Sequence, residues 1–294
     1  MDIDIMKCMS VYVGFEELKN LYNENKKITK KIWKEKYYSK YKKVFDAMLK
    51  YLYFTDLDNL LNYVETTDFD KLIKNSEEAI KDGYISKILS LIDRAKEILN
   101  FNEDFDVYFL IGFNHIDGTS LMSDKPFLYF GLERLIDENI NILVPHEFNH
   151  LVRNFKYKEF GTKKLKFKDY MIYEGVATYF SIYFLDINPK NEAKALFIPQ
   201  EKYEILNKNK EEIRKDIMKL LNVEMDNQIM MNYFTYDGEK KLKQGYYIGL
   251  KIIEELVSLG HNIVDLTYMN SDDILNLYFK NQDINKQWDK IDKI

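Results

Sequence analysis

Residues 146–150 read HEFNH, and two of the four histidines in the 294-residue chain fall inside this one window. With histidine so scarce, an H-E-x-x-H arises by chance in a chain of this length with odds of roughly four in a thousand, so the stretch is read first as chemistry. On a helix, His146 and His150 stand one turn apart on one face, and their imidazoles can converge on a single ion. Glu147 lies beside them, placed to touch a water on that ion. Zinc held by such ligands brings the pKa of its water to about 7, and an adjacent carboxylate can take that proton and pass it to a departing amine. The motif thus offers two ligands and a general base, and it lacks a third ligand.

The best candidate for that ligand is Glu174, in YEGVATYF, with twenty-three residues between it and His150. Its neighbours Met171, Ile172, Tyr173, Val176, Tyr179 and Phe180 make the segment read as a buried helix. An unpaired carboxylate inside such a helix costs several kcal/mol, and ligation of a metal removes that cost. Gly175 and Ala177 are small, which is expected to let this helix approach the HEFNH helix closely. The expected set is His146, His150 and Glu174 around Zn2+, with a fourth position open to water. The single cysteine, Cys8, excludes a Cys-based cluster, so a metal here must be held by His and carboxylate.

HEFNH followed by E-G-V-A at 174–177 resembles the gluzincin metallopeptidases, which carry HExxH on one helix and a Glu, often in E-G-x-A, on a later one. More narrowly, HEFNHLVRN with YEGVATYF and GYYIGLKI is similar to the predicted Zn-dependent protease family that includes YjaZ-like proteins, over roughly residues 105–255. The N-terminal hundred residues carry no motif of that family. No H-x-x-G-x-x-H extension follows His150, unlike the metzincins. The resemblance implies hydrolysis of peptide bonds by a zinc-activated water. It implies a peptide or protein substrate along the edge strand of a small sheet, for which residues 127–131 in PFLYFGLE are the matching segment. It also implies a hydroxyl donor to the oxyanion, for which Tyr246 of Tyr246-x-x-Gly249 is the local match. Tyr246 and Tyr247 point in different directions on a helix, so at most one of them serves.

These residues need elements to hold them. DVYFLIGF (106–113) and PFLYFGLE (126–133) are short aromatic and β-branched runs that read as strands, with NHIDGTSLMSDK as a loop turning one back towards the other. Residues 14–100 read as helical. Ile85, Ile88, Leu89, Ile92, Ala95 and Leu99 mark one buried face, and residues 28–54 suggest a longer helix with a solvated lysine-rich side. Helices return from about 137, through 168–186 and 241–260. Pro145 means either that the HEFNH helix starts near Leu143 or that it is bent at the site. The fold class is α+β, mainly helical, with a small mixed or antiparallel sheet beside the HExxH helix and a second Glu-bearing helix. The regions are a helical 1–104 and a zincin-like 105–294, in one continuous unit without linkers or repeats.

A net charge of −5 with no basic stripe argues against nucleic acid as partner. No window reaches roughly 18 consecutive apolar residues, so no membrane span is expected. The N-terminus MDIDIMKCMS lacks the pattern of an export signal, which makes the cytoplasm the expected location. Arg153 is read as pairing with a buried carboxylate or facing solvent, His115 as a loop residue with substrate contact as the lesser alternative, Asp169 as a helix-start charge or a group orienting a ligand, and His261 as a cap or surface residue. Two rivals to a peptidase remain at this point: a non-catalytic protein that binds metal and peptide, and a zinc amide hydrolase acting on a small molecule.

Overall fold

The run Phe105–Leu110 is buried at every position and so needs covering on both faces. In the computed structural model, which describes residues 9–53, 55–135, 137–157, 165–185 and 192–291, it forms the second strand of a four-stranded mixed sheet. Cys8 lies outside the described residues. The strands are β1 (Met9–Val13), β2 (Phe105–Leu110), β3 (Gly118–Met122) and β4 (Pro126–Gly131), in the order β1-β2-β4-β3. β1 and β4 both pair with β2 in parallel, and β3 pairs with β4 antiparallel.

The sheet differs from the sequence-based expectation at two places. The strand at 127–131 is not an edge: β4 has β2 on one side and β3 on the other. All six of its residues are buried, which an edge strand with a solvated side would not need. The stretch read as a loop contains β3, the true edge on that side. Its sequence GTSLM has little strand propensity and is ordered by pairing with β4.

Parallel β1 and β2 need a crossover, supplied by the helical residues between them. These include α1 (Phe15–Asn25), α2 (Leu57–Thr66), α3 (Phe69–Lys81) and α4 (Tyr84–Leu99). α4 buries Ile88, Ile92, Ala95 and Leu99, as the periodicity requires. The single helix expected over 28–54 is instead broken by π-helical turns at Trp33–Tyr38 and Leu49–Tyr53. Trp33, Tyr37, Tyr38 and Phe45 crowd one cluster, with Trp33 and Phe45 centroids 4.9 Å apart, and the wider turn gives such rings room. From this region the Tyr37 hydroxyl accepts from the Ile111 amide (2.9 Å), and Lys43 pairs with the buried Asp106 (2.7 Å).

The described chain divides into two compact units, Met1–Leu151 and Val152–Ile294. The helix carrying HEFNH, α5 (Asp137–Tyr157), starts well before Leu143, so Pro145 lies inside it and leaves the Asn141 carbonyl without its helical donor. In the second unit α6 (Phe167–Phe184) crosses α7 (Gln244–Ser258) at backbone contact. A Cβ on Gly175 would sit 2.3 Å from the Gly249 carbonyl carbon, and one on Gly249 2.2 Å from the Met171 oxygen. The partner of Gly175 is therefore α7, where the sequence had suggested the HEFNH helix. Arg153 is buried and donates to the carbonyls of Leu266, Thr267 and Met269, at the end of the short helix Ile263–Thr267. Asp169 accepts from the Lys166 amide at the start of α6, and the His261 amide donates to Leu256 past the end of α7. Among the described residues, no helix is long and apolar enough to cross a membrane.

Candidate metal centre

Phe148 sets the rotation of α5 in the first unit. Its fully buried ring packs edge-on against Phe101 (5.6 Å) and Phe105 (5.8 Å). At i−2, i−1 and i+2 from it, His146, Glu147 and His150 turn to other sides of the helix. All three are buried, and their ligand atoms lie within 4.8 Å of one another. The two Nε2 atoms are 3.0 Å apart, with the rings nearly perpendicular. Two nitrogens bound tetrahedrally at ~2.0–2.1 Å need a separation of roughly 3.3 Å, so the pair fits a zinc ion after a small adjustment. Glu147 completes the group as a carboxylate.

The sheet edge fixes the position of Glu147. The Gly131 amide donates to the Asp117 carbonyl, so residues 117, 119 and 121 turn their peptide groups towards β4. Gly118, Ser120 and Met122 turn theirs outward, away from the sheet. On that outer side the Ser120 amide donates to Glu147 Oε2 at 2.8 Å. Glu147 is thereby held at the middle of an edge that no described strand covers.

Glu174 and Tyr246 belong to the second unit. Glu174 is 3% exposed at the centre of α6, among fully buried apolar residues. The preceding Tyr173 donates from its hydroxyl to Asn154 on the last turns of α5 (3.3 Å). Tyr246 is half-buried, with its ring against Phe234. Tyr247 is fully buried and its hydroxyl donates to Asn207 (2.7 Å), which commits it to packing.

Lys243 was not singled out from the sequence. It precedes α7 in a left-handed conformation (φ 52°), donates from Nζ to the Leu196 carbonyl, and lies 4.9 Å from the Tyr246 ring. Burial pushes its ammonium below the usual lysine range, and the Glu174 carboxylate opposes that shift. Lys243, Glu174 and Tyr246 are thus electrostatic and packing neighbours within one unit. The only sequence signal for Lys243 is its place three residues before Tyr246.

A family model described as "Predicted Zn-dependent protease (DUF2268)" matches residues 110–276, which include β3, β4, α5, α6 and α7. Comparison with curated proteins and with solved structures finds no match.

Proposed function

Because the chain belongs to that family, we propose that it is a zinc-dependent metallopeptidase in which His146, His150 and Glu174 hold the ion. The observation that carries this reading is the buried His146–His150 pair, 3.0 Å apart, beside a carboxylate locked to the edge of a sheet. Glu174 is taken as the third ligand because it is a buried carboxylate on a helix and stands in the E-G-x-A pattern of the gluzincin resemblance. Zinc in this set supplies a Lewis acid for the scissile carbonyl and lowers the pKa of a coordinated water to about 7.

The remaining work falls to the chain. A peptide adds as a further strand to the outer edge of β3, pairing with the outward groups of Gly118 and Met122. Glu147, anchored at Ser120, accepts the proton of the attacking water and delivers it to the leaving nitrogen. The Tyr246 hydroxyl donates to the oxyanion that forms on the carbonyl. Held on a side chain that packs against Phe234, it needs little reorganisation to do so.

The test is elemental analysis of purified variants. Wild type binds about one zinc per chain, and His146→Ala, His150→Ala and Glu174→Ala each lose most of it. Chelation lowers the melting temperature without unfolding a core of this size. Full zinc retention in Glu174→Ala would remove that residue from the set.

A further inference from the structure

The N-terminal helical region brings aromatic rings to the start of β3. His115, on the loop between β2 and β3, is exposed and stands edge-on to Tyr53 (6.0–6.1 Å for both rings) and Tyr63. Tyr53 ends the second π-helical turn and Tyr63 lies on α2, where it is 53% exposed. His115 and Tyr63 are exposed and Tyr53 is partly buried beside them, so three rings from three separate elements meet at one place on the surface.

The loop that presents His115 is pinned on both sides. Glu133 accepts from the amides of Gly112 and Asn114, and Arg134 donates to the Asn114 carbonyl and pairs with Asp117. Asn114 takes a left-handed backbone (φ 61°), which turns the chain so that His115 leaves the sheet. The cost of ordering this loop is met before any ligand arrives, as a recognition site requires.

Direction follows from the strand. His115 lies three residues before Gly118 and five before Ser120, whose amide marks the level of Glu147. Antiparallel addition, the stronger pairing, runs a bound peptide from Met122 towards Gly118 and then towards His115. At about 3.4 Å per residue, the peptide residue that reaches the rings is roughly the third to fifth on the C-terminal side of the cleaved bond. We propose that His115, Tyr53 and Tyr63 form a subsite for a large apolar or aromatic side chain at that place in the substrate. This rests on the peptidase reading, since the cut opposite Ser120 sets the register.

Two measurements separate the subsite from the chemistry. In a mixed peptide library, products of zinc-loaded wild type show about tenfold enrichment of Phe, Tyr, Trp or Leu at the third to fifth position after the cut, and Tyr63→Ala or His115→Ala abolishes it. In the Glu147→Gln background, a peptide carrying Phe there binds about tenfold tighter than its Ala analogue, and adding Tyr63→Ala removes the difference. Cleavage with unchanged preference in both ring variants overturns the subsite while leaving the peptidase intact, as does a preference for charged residues. Discriminating binding without any hydrolysis upholds the subsite and overturns the peptidase. Neither cleavage nor discriminating binding overturns both.

Discussion

The Ser120 amide donates to Glu147 Oε2 across 2.8 Å, on the side of β3 that faces away from the sheet. This bond does for the carboxylate what a second residue usually does for a catalytic group: it fixes where the oxygens point. Because the N–H faces outward, Ser120→Pro removes the donor without removing a ladder bond to β4. The variant is expected to keep its zinc and to lose about tenfold to a hundredfold in kcat. Wild-type kcat in zinc-loaded Ser120→Pro would show that Glu147 needs no such anchor.

The contact of α6 with α7 admits no side chain. A methyl group on Gly175 meets backbone atoms of Gly249 at 2.3 Å, and backbone cannot move aside as a flexible side chain would. Gly175→Ala is therefore expected to destabilise the fold by about 3 kcal/mol, read as a lower urea midpoint with an unchanged slope. Gly249→Ala meets the Met171 carbonyl oxygen at 2.2 Å in the same crossing, and one separation of the helices relieves both clashes, so the double variant costs less than the sum of the two. Unaltered stability in Gly175→Ala would mean that the helices do not cross at these glycines.

HEFNH was legible because its spacing is itself a geometry: i and i+4 share a face whatever surrounds the helix. The α4 stripe from Ile88 to Leu99 was legible for the same reason. The edge strand was not. Gly118, Thr119 and Ser120 carry no period-two pattern, and their extended form comes from pairing with residues 128–130. PFLYFG does carry a signal of its central place, since a run apolar on both faces belongs in the middle of a sheet. The partners of Arg153 lie more than a hundred residues along the chain, and Gly175 met α7 through Gly249; neither pairing leaves a local trace.

Lys251 holds two carboxylates at once in the second unit, Glu192 at 2.5 Å and Glu254 at 2.8 Å, with the Tyr203 hydroxyl at 2.8 Å. Burial pushes Glu254 up to about 7, while Lys251 pulls the other way and Glu192 adds to the rise. Tyr179 and Tyr247 are its other titratable neighbours. A carboxyl whose folded pKa exceeds its unfolded value of about 4.3 binds its proton more tightly in the folded state. Its stabilising contribution is complete below about pH 4.3 and is lost as the pH rises through about 7. Glu254→Gln is expected to flatten that part of the stability profile, measured by urea unfolding from pH 5 to 8. The same slope in the variant would assign the pH dependence to another group.

In the proposed reaction Glu147 acts as a base beside a metal it does not need to hold. The measurement is turnover of a mixed peptide library by wild type and Glu147→Gln, each with its zinc content determined in the same sample. The two proteins are expected to carry equal zinc, with hydrolysis lower by about a thousandfold or more in the variant. Equal turnover at equal zinc, or a zinc-loaded wild type that cleaves nothing, would contradict it.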